Sequence, residues 1–133
     1  MDVKSTFLNG DLKEEVYVEQ SPGFVILGSE GKICKLKKAL YELKQAPCAW
    51  YQRIDAYFLR NGFKRSPSDA NLYIYREGGK CMIVVLYVDD LVITGNHEEK
   101  ISQMKHMLGR DFEMIDLGLM HFCLGIEVWQ ELN

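Results

Sequence analysis

The chain has 133 residues, a mass of 15.4 kDa and a formal net charge of −3. Its composition, 47% hydrophobic and 26% charged, excludes a disordered chain and predicts a folded globular protein. The small negative charge excludes an arm that coats nucleic acid, so any contact with nucleic acid must come from a local patch. No apolar run is long enough to cross a bilayer, and the N-terminus lacks a signal-peptide pattern. We therefore expect an intracellular protein that is neither secreted nor inserted in a membrane.

The first half of the chain predicts short strands followed by a helix. Residues 16–18 and 33–36 have strand composition, and residues 21–31 between them are rich in turn formers. Pro47 suits the first turn of a helix, and Gly62 is a natural stop for it. The apolar residues of this helix recur at helical spacing. They are Trp50, Ile54, Tyr57 and Phe58.

The second half predicts a strand at residues 72–75, a turn at Gly78-Gly79 and a hairpin from residues 81–86 and 91–94. Asn96 with Glu99 is typical of a helix start, and residues 120–129 predict a final strand interrupted at Gly125. This order of elements predicts an α+β fold, an antiparallel sheet with helices packed on one face, in one domain over residues 1–133. The apolar face of the second helix consists of Ile101, Met104, Met107, Leu108 and Phe112.

The segment Tyr87-Val88-Asp89-Asp90 places two adjacent carboxylates between two apolar strands. Because buried strands rarely concentrate charge of one sign at their ends, a cation is expected there, and Mg²⁺ prefers carboxylate oxygens. The alternative is an ordinary polar turn, in which Asp is common. Residues 1–10 could form a central strand that delivers Asp2, a third acid, to the same edge of the sheet.

The cysteines and histidines show no metal-ligand spacing. The cysteines form no close pair, so neither a zinc knuckle nor a redox Cys-x-x-Cys motif is indicated, and a reduced compartment is the simpler interpretation. The histidines are expected to be surface or packing residues. These residues are Cys34, Cys48, Cys81, Cys123, His97, His106 and His121.

A group of lysines precedes Pro47, with Glu42 opposing them. It could bind phosphates, although a lysine-rich surface that only faces water is the alternative. The group consists of Lys32, Lys35, Lys37, Lys38 and Lys44.

Four segments together resemble one family. They are MDVKSTFLNGDL, KLKKALYELKQAPCAWY, LYVDDLVITG and FCLGIEV, and they are similar, in order, to the motifs of the reverse transcriptase of Ty1/copia-type retrotransposons. The resemblance implies an RNA-directed DNA polymerase (a nucleotidyltransferase) with the ferredoxin-like sandwich of a polymerase palm, with the fingers and thumb missing. It also implies a primed RNA or DNA template, dNTPs, the integrase and RNase H domains of the same polyprotein, and a cytoplasmic virus-like particle.

The resemblance assigns catalysis to Asp2, Asp89 and Asp90. It implies two Mg²⁺ ions, or Mn²⁺ as a substitute, held mainly by Asp2 and Asp89, assisted by the backbone carbonyl of Val3, with Asp90 supporting more loosely. Two metal ions suit phosphoryl transfer because that reaction asks the protein mainly for positioning and charge neutralisation.

Further residues match nucleotide and primer contacts of the family. The resemblance implies that Phe7 lies beneath the incoming sugar, where its bulk excludes a 2′-hydroxyl, and that Gln45 and Lys44 contact the nucleotide. From the residues alone, Phe7 also fits core packing and Gln45 fits a polar residue flanking a helix. Tyr87 and Val88 would lie along the primer terminus, and Leu124, Gly125 and Ile126 would form a primer grip.

The chain departs from the family pattern at three positions. Glu42 stands where the family usually has Gly, which implies backbone strain if a positive φ is required there. Cys48 replaces an Arg that could bind phosphate, and Cys123 replaces an aromatic residue. With the fingers missing, we expect weak or undetectable polymerase activity. The alternatives are a degenerate, non-catalytic relic and a nucleic-acid-binding α+β module, which would need exposed stacking aromatics in place of the acids.

Overall fold

The structure is a computed structural model that describes residues 1–123 and 125–130. The chain divides into two units: Met1–Lys4 with Arg65–Asn133, here called the sheet unit, and Ser5–Lys64, here called the inserted unit. Neither α-helix of the described residues is both long and apolar enough to cross a bilayer.

In chain order the elements are β1 (Asp2–Val3), a 3₁₀ helix (Thr6–Asn9), β2 (Tyr17–Glu19), β3 (Ile33–Lys35), α1 (Ala46–Arg60), β4 (Lys64–Arg65), β5 (Leu72–Glu77), β6 (Lys80–Tyr87), β7 (Asp90–Gly95), α2 (Glu98–Phe112), β8 (Met114–Ile115), β9 (Phe122–Cys123) and β10 (Ile126–Glu127).

The main sheet has the strand order β4-β5-β6-β7-β1-β8, and its pairings β5–β6, β6–β7, β7–β1 and β1–β8 are antiparallel. Along β6, Met82, Val84 and Leu86 are buried while Val85 and Tyr87 are exposed. This alternation follows from the two-residue period of a strand, and it gives the sheet one buried and one open face. The strands expected at residues 16–18, 33–36, 72–75, 81–86 and 91–94 are confirmed to within one or two residues, as are the Gly78-Gly79 turn and the hairpin.

Helix α2 packs against β7 and β8. It buries Met104, Leu108 and Phe112, as the apolar spacing predicts, while Ile101 and Met107 are half-buried. The predicted α+β class, with an antiparallel sheet and two helices, is confirmed. The packing of both helices on one face and the single domain over residues 1–133 stay predictions.

The predicted helix start at Asn96 is wrong by one residue. His97 is the N-cap of α2, and its Nδ1 accepts a hydrogen bond from the Lys100 N–H at 3.4 Å. The Asn96 side chain instead joins the β6–β7 ladder: it accepts from the Cys81 N–H at 2.7 Å and donates to the Gly79 carbonyl at 2.9 Å. An Asn side chain competes for nearby backbone groups, so its partner depends on the fold around it.

The single final strand predicted over residues 120–129 is also wrong. The structure has two short strands there, β9 and β10, paired antiparallel with Cys123 opposite Ile126. Gly125 adopts φ 80°, a left-handed conformation that glycine adopts easily and that reverses the chain into a hairpin. The predicted Gly125 interruption is therefore a turn.

The inserted unit contains the β2–β3 hairpin, the 3₁₀ helix and α1. Helix α1 has Pro47 near its start and ends before Gly62, as predicted, and Gly62 has φ 83°. Its apolar face buries Trp50, Ile54, Tyr57 and Phe58. The Phe58 and Phe63 rings meet edge to face at 5.3 Å.

The 3₁₀ helix approaches α1 closely because Gly10 has no side chain. A Cβ atom at Gly10 would lie 2.8 Å from the Trp50 nitrogen and 2.9 Å from the Ala49 Cβ. Gly10 has φ −81°, so the position requires glycine for space and not for backbone conformation. The expected strand over residues 1–10 is confirmed only at β1, which is internal in the sheet but two residues long.

Candidate functional site

The hairpin between β6 and β7 turns within two residues, Val88 and Asp89, because Tyr87 and Asp90 are a register pair. Val88 has φ 50°, in a turn position where glycine is usual. A β-branched residue rarely adopts this conformation, and such strain persists only where the surrounding structure imposes it. Strained residues concentrate at functional sites, so this tip is a candidate site on conformational grounds as well as on charge. The sequence analysis missed this signal.

Strand β1 brings Asp2 to the same hairpin. Asp2 is the register partner of Asp90, and the two neighbouring backbone hydrogen bonds are Val3 N–H to the Asp89 carbonyl at 2.9 Å and Leu91 N–H to the Met1 carbonyl at 2.8 Å. Directly opposed residues in an antiparallel pair have side chains on the same face. Two of the three predicted acids are therefore direct cross-strand neighbours, and Asp89 is adjacent in the turn.

The acids interact electrostatically. Burial is the largest cause that raises the pKa of the Asp90 carboxyl above its ordinary value of 3.8, and the negative charges of Asp89 and then Asp2 raise it further. All three are partly shielded from solvent. A bound cation would relieve the repulsion between these three carboxylates. Across residues 1–123 and 125–130, however, the structure has no group of three or more His, Cys, Asp or Glu side chains arranged as a metal site.

The raised pKa predicts that Asp90→Asn stabilises the metal-free protein at neutral pH. Between the ordinary pKa and the raised one, the folded state binds more protons than the unfolded state, so the free energy of unfolding falls as pH rises through this window. Asparagine does not titrate, so the free energy of unfolding of the variant does not fall for this reason. Urea unfolding in EDTA at several pH values should show equal stability below pH 3.8 and a growing advantage of the variant above it. A variant less stable than wild type at pH 7 would contradict the prediction.

The predicted nucleotide contacts belong to the inserted unit. Phe7 lies on the 3₁₀ helix and is 7% exposed, with the Tyr41 ring edge to face at a centroid distance of 4.4 Å. Lys44 and Gln45 are exposed immediately before α1, and the Gln45 carbonyl accepts a hydrogen bond from the Ala49 N–H at 2.9 Å. The sequence analysis missed Tyr41, because nothing in its spacing distinguishes it from a surface residue.

Two expectations about the segment before α1 are corrected: the backbone strain at Glu42 and the acids near the lysine group. The prediction of backbone strain at Glu42 is wrong, because among the described non-glycine residues positive φ occurs at Ser5, Val88 and Glu113. Within the lysine group, Lys35 forms an ion pair with Glu15, which is the main cause lowering the pKa of the Glu15 carboxyl. Glu42 is therefore not the only acid that opposes the group.

The predicted primer contacts lie at two hairpins. Tyr87 and Val88 are 52% and 50% exposed at the tip of the β6–β7 hairpin. In the β9–β10 hairpin, Gly125 and Ile126 are exposed, and Leu124 lies outside the described residues. The roles assigned to these residues, to the three acids and to Val3 stay predictions.

The chain matches the family described as reverse transcriptase (RNA-dependent DNA polymerase) over residues 1–133. It is 40% identical over 132 residues to the retrovirus-related Pol polyprotein from transposon TNT 1-94 of Nicotiana tabacum, covering 98% of the chain and 10% of that protein. It is 41% identical over 127 residues to the corresponding polyprotein from transposon RE1 of Arabidopsis thaliana, covering 96% and 9%. The putative transposon Ty5-1 protein of Saccharomyces cerevisiae is 32% identical over 133 residues, covering 100% and 43%.

The chain thus spans 10% or less of the tobacco and Arabidopsis polyproteins. No solved structure matches it. The family match extends over the whole chain, and the relatives include Ty1 Gag-Pol polyproteins. The chain therefore belongs to the reverse transcriptase family, of the type found in Ty1/copia retrotransposons.

Proposed function

We propose that the chain is the metal-binding palm of an RNA-directed DNA polymerase that transfers dNTPs onto a primer 3′-hydroxyl. The observation that carries this proposal is the register pairing of Asp2 with Asp90 beside Asp89, in a chain that belongs to the reverse transcriptase family. Neither a polar turn nor a surface loop requires a third acid from a strand distant in sequence.

The donor set fits Mg²⁺ by its chemistry. Carboxylate oxygens are the ligands this ion prefers, and it usually keeps water and substrate phosphates in its remaining positions, so a complete protein cage is not required. Asp2 and Asp89, with the Val3 carbonyl, would hold two ions, and Asp90 would add negative charge beside them. When bound, the ions would stabilise the attacking primer oxygen and the leaving pyrophosphate.

The other assignments follow from the family. Phe7 would exclude the 2′-hydroxyl of the incoming sugar, and Gln45 and Lys44 would contact the nucleotide. Their exposure before α1 leaves both side chains accessible to a ligand. At the strained turn, Tyr87 and Val88 would lie along the primer terminus.

The remaining family assignments concern the primer grip and the partners. Leu124, Gly125 and Ile126 would grip the primer. The proposed partners are a primed RNA or DNA template, dNTPs, and the integrase and RNase H domains of the polyprotein. The proposed location is a cytoplasmic virus-like particle.

Thermal unfolding with and without Mg²⁺ tests the metal site. Because a ligand that binds only the folded state stabilises it, Mg²⁺ at about ten times its Kd should raise the melting temperature by about 5 °C, and Asp89→Asn should abolish this shift. Asp69→Asn is a matched control, since Asp69 lies in an exposed turn of the same unit, where it accepts a hydrogen bond from the Asn71 N–H. An equal Mg²⁺ shift in wild type and Asp89→Asn would reject the site.

A non-catalytic relic is the second candidate. It is favoured by Cys48, which is exposed near the start of α1 and contacts Gln52 at 3.3 Å. The family resemblance implies an arginine at this position. Cysteine cannot replace the bidentate phosphate contact of that side chain. A wild-type chain with no Mg²⁺ shift would favour the relic.

A further inference from the structure

The backbone of Phe7 is held tightly inside the inserted unit. Its carbonyl accepts the Gly10 N–H at 3.0 Å, and the next residue, Leu8, donates to the Ser5 carbonyl at 2.8 Å. Gly10 in turn lies against the first turns of α1, with no room for even a Cβ atom. The Phe7 main chain therefore has little freedom, and the direction of its ring depends on what the ring contacts.

Tyr41 supplies a contact to that ring. The two rings meet at 65° with centroids 4.4 Å apart, an edge-to-face geometry that is favourable beyond simple burial. Phe7 is buried, whereas Tyr41 is 64% exposed. A side chain so exposed adds little to the core. Its main packing role is to cover the Phe7 ring where that ring would otherwise face solvent.

The loop that carries Tyr41 is ordered by its own hydrogen bonds. Leu43 N–H donates to the Leu40 carbonyl at 3.1 Å, and Ala46 N–H donates to the Leu43 carbonyl at 3.0 Å. The Tyr41 ring thus projects from a hydrogen-bonded turn that leads directly into α1, and this turn sets its position.

An apolar pocket adjoins both rings. Its volume is about 410 Å³, and its walls include Phe7, Leu8, Leu40, Tyr41 and Leu43. Removing the Tyr41 ring would enlarge this space beside Phe7. The Phe7 ring would then lose the edge-to-face contact that restricts its direction on the side of Tyr41.

We propose that Tyr41 is a positioning residue that holds the Phe7 ring in the orientation that discriminates deoxyribose from ribose. This inference rests on the proposed function, which assigns Phe7 to the sugar of the incoming nucleotide. Discrimination against one added hydroxyl relies on a close steric contact, because an apolar wall that can move rejects a hydroxyl poorly. A fixed ring is therefore a condition for the selectivity of this site.

The test compares the affinities of dATP and ATP, measured by calorimetry with Mg²⁺ for each variant. Tyr41→Leu keeps apolar volume but removes the ring, and it should lower the ratio of dATP to ATP affinity by about tenfold. Tyr41→Phe keeps the ring edge and should retain the ratio within about twofold. The control is Phe24→Leu, which removes an aromatic ring of the same unit that is 82% exposed and is not among the residues of the pocket walls, and it should leave the ratio unchanged. Circular dichroism confirms that each variant is folded before titration.

The outcomes separate this inference from the function on which it rests. A ratio reduced in Tyr41→Leu and retained in Tyr41→Phe supports the positioning role. An unchanged ratio in Tyr41→Leu, together with a ratio lost in Phe7→Ala, overturns the role of Tyr41 and leaves the function standing. If Phe7→Ala also retains the ratio, the sugar contact and the inference both fail. If neither nucleotide binds the wild-type chain, the proposed nucleotide site itself is rejected.

Discussion

Asp89→Ala is expected to reduce Mg²⁺-dependent dNTP incorporation by at least roughly 10³-fold, because metal-ion stabilisation of transition-state charge supplies several kcal/mol. The same loss is expected for Asp2→Ala, whose carboxylate comes from the neighbouring strand β1. The assay is a single nucleotide addition to a primed RNA template with the chain in excess over primer.

The control for incorporation is Asp69→Ala, which removes a carboxylate of the sheet unit from an exposed turn remote in sequence from the three acids. It should incorporate nucleotide at the wild-type rate. Incorporation retained in Asp89→Ala would contradict the assignment of the catalytic acids, even if Mg²⁺ binding were lost.

Gly10→Ala is expected to lower the free energy of unfolding by about 1–3 kcal/mol, the usual cost of overpacking. The added Cβ would meet backbone and Cβ atoms of α1 at 2.8–2.9 Å. Backbone atoms in a helix cannot move aside as the end of a flexible side chain can, so the 3₁₀ helix would have to shift. Urea unfolding of wild type and variant measures the difference.

Gly31→Ala provides the matched control for this steric argument. A Cβ at Gly31 meets no atom within 4 Å, and Gly31 is not among the glycines with positive φ. The control should be neutral or more stable by about 0.4–1 kcal/mol, because alanine reduces the entropy of the unfolded chain. Equal destabilisation by both substitutions would show that space at Gly10 is not the cause.

The spacing of apolar residues along the chain was sufficient to predict most of the helices and strands. The β6–β7 hairpin and both helices follow from local patterns of apolar residues, Gly and Pro, because these patterns act over one element. The pattern failed at residues 120–129, where apolar composition suits one strand or two. Gly125 could interrupt a strand or turn it, and only the pairing of Cys123 with Ile126 distinguishes the two.

The candidate site, too, could be predicted from the sequence only in part. The Asp89-Asp90 pair was recognisable from its charge between apolar strands, and the family from four ordered segments of the chain. Neither could reveal that Asp2 stands opposite Asp90, that Val88 turns with a positive φ, or that Tyr41 packs on Phe7.

By itself, therefore, the sequence determined the family, most of the secondary structure and the candidate acids, because each depends on residue types at short spacing. The tertiary structure decided which acids are neighbours, how burial and like charge raise the pKa of Asp90, and which ring contacts Phe7. The physical reason is that strand register, burial and side-chain packing join residues far apart in the chain, and no local pattern encodes them.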